Sequence, residues 1–225
     1  MPTPAPEAAP AQPQHAILPG EPGSTVDRRI AGVLPNYRTA DSNQPFLPLT
    51  NGQKWKIAYK DSLDYPSYFI AGVFASISQG NNTNPAFGQG MEGYSKRYAA
   101  GITDQILGNV MTEAFYPTIF REDPRYFRKI NGSVKSRLLW AMSRTVITKT
   151  NSGRTTFNFA EWVGNGTVAA IGNTYYRDER GLGNTMQRLI SQVETDTISQ
   201  ILKEFWPDLK RHFSKRKDAL ASAAD

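Results

Sequence analysis

The most regular spacing of apolar side chains lies between Thr185 and Phe205. There Met186, Leu189, Ile190, Val193, Thr197, Ile201 and Phe205 return every three or four residues, as one face of a helix requires. Pro207 is expected to end or bend this helix, and a basic amphipathic stretch from Asp208 to Lys217 follows. Met91 to Phe120 carries a second long period, with Tyr94, Tyr98, Ile102, Ile106, Val110 and Ala114 in register and Pro117 placed to kink it. Shorter helices are expected from Gln53 to Ser62, turning Trp55, Ile57 and Ala58 to the core, and from Pro66 to Gln79. Proline suits the first turn of the latter because its missing N–H has no intrahelical partner there. Ser133 to Thr148 and Phe157 to Tyr176 complete the set, separated by Gly- and Asn-rich breaks such as GNNTNPAFGQG and Asn151 to Gly153.

Strand-like alternation is short everywhere and no internal repeat stands out. The pattern therefore predicts an all-α fold, a single bundle of about five or six helices over residues 51–217. A disordered Pro/Ala-rich linker is expected over 1–26, an extended arm over 27–50 anchored by Ile30, Val33, Leu34, Phe46 and Leu47, and a frayed tail over 218–225. Small residues mark the helix at 157–176: Gly166, Ala170 and Thr174 lie four apart, and Gly164, Val168 and Gly172 form a second row. Such rows allow close backbone approach, which offers Gly164, Gly166, Ala170 and Gly172 as an oligomerisation face.

Composition removes whole classes of chemistry. The 225 residues include no Cys and two His, one in the Pro/Ala-rich start (His15) and one in a basic run (His212). A disulfide framework, a thiolate site and a Cys nucleophile are excluded, and a Ser-His-Asp triad or His-rich metal centre lacks its imidazoles. There is no Walker loop, GxGxxG, HExxH, GxSxG or EF-hand spacing; Gly88 and Gly90 are not followed by the Lys-Ser/Thr pair of a phosphate loop. No cofactor and no metal are expected. The two longest uncharged stretches, Pro66 to Ser78 and Trp162 to Tyr176, fall short of a membrane-spanning helix and read as core helices.

The formal charge of +6 is unevenly spread. Residues 121–154 hold nine basic and two acidic side chains, a local +7, and leave the remainder near neutral. Arg121, Arg125, Arg128, Lys129, Arg137 and Arg144 are thus candidate anion-binding residues for lipid phosphates, with a second basic cluster at Lys210, Arg211, Lys215, Arg216 and Lys217. The competing reading is a solvated helix face with arginines that tie loops together. Nucleic acid is the least favoured partner, because no zinc-finger or RNP-like signature accompanies the charge.

Charged residues on apolar helix faces are the other candidates. Asp104, Glu113 and Glu161 could form a carboxylate set for acid/base work, and Arg97, two turns before Asp104, is expected to join it in a buried polar network that fixes helix register.

The phrases GQGMEGYSKRYAAGITDQILGN, FREDPRYFRK, FNFAEWVGN and KEFWPD together resemble a family of uncharacterised bacterial proteins, generally predicted to be exported, over Pro45 to Lys217. The resemblance implies a periplasmic or cell-envelope location, although the first 25 residues hold no secretory signal; the cytoplasm is the alternative. The combined expectation is a non-catalytic envelope protein that meets an anionic membrane surface or a protein partner through basic helical faces. An enzyme using the buried carboxylates and a nucleic-acid-binding protein are the alternatives.

Overall fold

Thr50 starts the first helix. Its hydroxyl accepts from the Gln53 amide at 3.2 Å while Gln53 Oε1 accepts from the Thr50 amide at 3.1 Å, closing a capping box at the head of α1 (Asn51–Ser62). Pro66 sits in the first turn of α2 (Tyr65–Gly80). The computed structural model describes residues 16–222, with side chains as far as residue 214. The Pro/Ala-rich start up to residue 15, the last three residues and the side chains of Lys215, Arg216 and Lys217 lie outside the described residues.

α3 (Gly90–Asn109) runs without a break into a wide π turn at Val110–Phe115 and then into α4 (Tyr116–Ile119). The reason is Pro117. It cannot donate to the carbonyl four residues back and its ring crowds that carbonyl, so the helix widens before it; the Tyr116 amide donates to Met111, five residues earlier. Gly164 of α6 (Phe159–Gly172) then packs directly on the turn, where an added Cβ would lie 2.8 Å from Thr112 Cγ2. α5 (Val134–Ser143) precedes α6, and α7 (Leu182–Ser222) crosses the molecule and continues through Pro207.

The protein is mostly helical but not all-α, because the connections pair as three small sheets. β1 (Arg29–Ile30) pairs antiparallel with β2 (Leu34–Pro35). β3 (Thr39–Asp41), from the arm, lies parallel to β5 (Tyr126–Arg128). β4 (Glu122–Asp123), β6 (Ile147–Thr150) and β7 (Thr155–Phe157) form an antiparallel sheet. The helix expected to reach Thr148 stops at Ser143 because Thr145, Val146, Ile147 and Thr148 are all β-branched and better suited to a strand.

Several expected boundaries and orientations change. Residues 16–26 are not a free linker: Ala16 and Leu18 are buried with Leu49 and Ile57. Of the five arm anchors, Ile30 is buried and Val33 is exposed, while Leu34, Phe46 and Leu47 are half-buried. The backbone stays helical to Ser222, where fraying was expected from 218. Trp55 points outward although Ile57 and Ala58 are inside, and α2, expected as a core helix, buries only Pro66, Ser67 and Ala75. What fills the interior instead is charge: Lys54, Asp123 and Glu204 are all completely buried. Lys54 Nζ donates to Pro117 O at 2.8 Å and Asn151 Oδ1 at 3.0 Å, tying α1 to α4 and to the β6–β7 turn.

Candidate functional site: a polar cleft and an apolar face

α3 and α7 turn polar residues toward one another. Asp104, Gln105 and Asn109 on α3 and Ser191, Gln192, Thr195 and Asp196 on α7 line a cleft of about 480 Å³. Tyr176 and Arg188 flank its Asp104 end, and Arg38, brought in by the arm, stands at its Asp196 end. An adjoining cavity of about 330 Å³ shares Arg38, Asn109 and Asp196 and reaches Asp61, Glu113 and Lys203.

Arg38 organises the buried charge. Its Nη2 donates to Asp196 at 2.9 Å and its Nε lies 3.4 Å from Glu113 Oε1. Burial works against its charge, but Glu113, Asp196 and Glu161 outweigh that cost. Burial also lifts Glu113 well above the ordinary glutamate value, reinforced by the neighbouring Asp61 charge and only partly offset by Arg38. Glu161 is raised in the same way, by burial and then by Asp196. Asp61 faces Glu113 and Asp196 faces Glu161, and burial beside these second carboxyls favours the protonated form of each glutamate. Asn165 Nδ2 bridges the second pair, 3.2 Å from Glu161 and 3.4 Å from Asp196. Lys203 is pushed down to about 8 by burial and by Arg38. Among the described residues, no three carboxylate or imidazole side chains are grouped so that they could hold a metal ion.

At the other end, Asp104 accepts from Tyr175 and, at 2.7 Å, from Tyr176. Burial raises its carboxyl, against the pull of these two hydroxyls. No family model, curated protein or solved structure matches the chain. The site is read from its geometry.

That geometry brings Glu113 and Glu161 together around Arg38 and leaves Asp104 in the same cleft but apart from them. The expected Arg97–Asp104 network does not form. Arg97 instead clamps the α2–α3 loop, donating to the carbonyls of Thr83 at 2.9 Å, Gly88 at 2.7 Å and Asn84 at 3.2 Å. Sequence reasoning missed Arg38, Asp61, Asp196 and Lys203. The signal on α7 was a ridge of polar residues four apart, Gln192, Asp196 and Gln200, continued by Lys203 and Glu204.

The basic segment is corrected more sharply. Arg125 is buried against Asp123 at 2.6 Å, Arg128 against Asp41 at 2.5 Å, and Arg137 against Glu204 at 2.7 Å. These three hold strands and helices together and do not face a phosphate surface. Arg144 and Lys129 lie over the Trp140 ring, at 4.0 and 5.7 Å, leaving Arg121 as the exposed member of the six candidates. The small-residue rows also divide. Gly164 and Gly172 are buried against Thr112 and Arg188 of the same chain, whereas Gly166 and Ala170 lie on a different face, with Ala170 exposed.

Exposed aromatic and aliphatic side chains stand on α1 and α2. Tyr65, Phe69, Val73 and Ile77 form one outward stripe of α2, with Phe74 beside it, and Phe69 is 75% exposed. The sixteen residues of α2 include no charge. Trp55 and Tyr59 on α1 and Leu63 at its C-terminal cap repeat the pattern, beside Lys56 and Lys60. A second aromatic row, Phe115, Phe120, Phe157 and Phe159, is covered in part by its own stacking through Tyr116, with neighbouring centroids 5.0 to 5.8 Å apart.

Proposed function

We propose that this is a non-catalytic peripheral protein of the bacterial cell envelope that rests on a membrane surface through the outer face of α1 and α2. The observation that carries the reading is α2 itself: a chargeless helix whose solvent side is Tyr65, Phe69, Val73 and Ile77. Water penalises such a contiguous apolar surface, and a helix lying in the headgroup region removes it from water. The neighbouring residues suit that depth. Trp55, Tyr59 and Tyr65 carry polar tips on apolar rings, and Lys56 is exposed on the same helix as Trp55 and Tyr59, the composition favoured at a membrane interface. No described helix is long and apolar enough to cross a membrane, which fits a helix that lies on the surface. The envelope location is supported by the motif resemblance.

This reading moves the contact from the basic segment, whose Arg125, Arg128 and Arg137 are used internally, to a face led by the chargeless α2. Vesicle flotation separates the two. Recovery on zwitterionic vesicles comparable to that on anionic ones, persisting at high salt, supports the α1–α2 face. Recovery on anionic vesicles alone, lost as salt is raised, would return the contact to the basic surface.

A further inference from the structure

We propose that the cleft between α3 and α7 binds a neutral, polyhydroxylated ligand of the saccharide class. Its volume of about 480 Å³ is in the range of small-molecule sites. Its charged side chains already have partners within the chain. Arg38 is held by Glu113 and Asp196, Arg188 Nη1 lies 3.4 Å from Glu179, and Asp104 accepts from Tyr175 and Tyr176. An ionic ligand would have to compete with these internal partners.

The rest of the lining is dominated by side-chain amides and hydroxyls, among them Asn84, Gln105, Asn109, Gln192 and Thr195. An amide presents an acceptor and a donor side by side, and a sugar hydroxyl both gives and takes a hydrogen bond, so the two chemistries match group for group. Three buried atoms of this lining have no hydrogen-bond partner among the described residues: Asn84 Oδ1, Gln192 Oε1 and Arg188 Nε. Buried polar atoms are normally satisfied, and two acceptors with one donor leave hydrogen-bonding capacity that a ligand carrying both kinds of group can take up as these side chains rotate. Tyr176, whose ring packs against Phe87 and Tyr175, lines the same wall.

The test is calorimetric titration of the full chain with maltose, cellobiose and N,N′-diacetylchitobiose, with gluconate and spermidine as charged comparisons. At least one neutral disaccharide is expected to bind saturably with a dissociation constant of ~1 mM or tighter. Gln192→Ala and Asn84→Ala, each checked for wild-type circular dichroism, should weaken that binding roughly three- to tenfold, the loss of one hydrogen bond apiece. Lys135→Ala, on the exposed start of α5, should leave it unchanged. Failure of all three disaccharides to saturate by ~10 mM, binding of gluconate or spermidine only, or unchanged affinity in both amide variants would overturn the proposal.

Discussion

Glu204 on α7 accepts from Arg137 Nε on α5 at 2.7 Å, with the carboxylate fully buried. The same carboxylate takes the Tyr126 hydroxyl at 2.7 Å and the amides of Lys129 and Ile130 at 2.8 and 3.2 Å. One residue thereby anchors β5, the following turn and α5 to the long helix, and consumes charge that the sequence alone offers to a partner.

Replacing Glu204 with Gln removes the charge and sets an amide donor among four donors. Breaking a buried, hydrogen-bonded ion pair from one side costs about 3 kcal/mol or more, so the urea midpoint should fall steeply with little change in slope. A midpoint within error of wild type would contradict the anchoring role of the Glu204 carboxylate.

The pH dependence should carry two opposite signatures. Glu113 and Glu161 have folded values raised above the ordinary 4.5, so the folded state binds more protons and stability from these groups falls as pH rises above that value. Glu113→Gln, which mimics the protonated acid, should therefore gain on wild type with rising pH. Lys203 titrates near 8 in the fold against 10.5 ordinarily, so across that window stability rises with pH, and Lys203→Met should abolish the rise. Urea titrations of the variants at several pH values check both. A wild-type stability flat from pH 4 to 7 relative to Glu113→Gln would contradict the raised Glu113 carboxyl.

Two glycines on α6 should respond in opposite directions. A Cβ at Gly164 meets Thr112 Cγ2 at 2.8 Å and backbone atoms of Met111 and Thr112 at 3.3 Å, so Gly164→Ala should destabilise by about 1–3 kcal/mol. Gly166 has nothing within 4 Å of the same position, and Gly166→Ala should stabilise by about 0.5–1 kcal/mol through helix propensity. Thermal melts of the pair suffice, and equal shifts would contradict the close α6 contact with the π turn.

The helices were legible because their apolar residues repeat over several turns, and α1, α2, α3 and α6 begin within a few residues of where the periodicity places them. The strands were not, since β4, β5, β6 and β7 are two to four residues long and too short to show alternation. Their stability comes from pairing with distant segments, as when Thr39 to Asp41 lies beside Tyr126 to Arg128. Glu113 and Glu161 stood out as charges on apolar faces. Arg38 did not, because it lies in an aperiodic arm and acquires its role only when that arm folds over α3 and α7. The basic segment misled for a related reason: the carboxylates that neutralise it, Asp41, Glu204 and Asp208, lie far away in the chain.

The membrane contact is tested most directly by the partition coefficient of a Phe69→Ser, Ile77→Ser double variant on zwitterionic vesicles. Both side chains are more than half exposed in the fold, so their loss should leave the melting temperature nearly unchanged. Each apolar side chain transferred into the interface contributes about 1.5–3 kcal/mol, and the double variant should bind at least tenfold more weakly than wild type. Binding by the double variant equal to wild type, with Arg121→Glu instead abolishing it, would place the contact on the basic surface and contradict the role of α2.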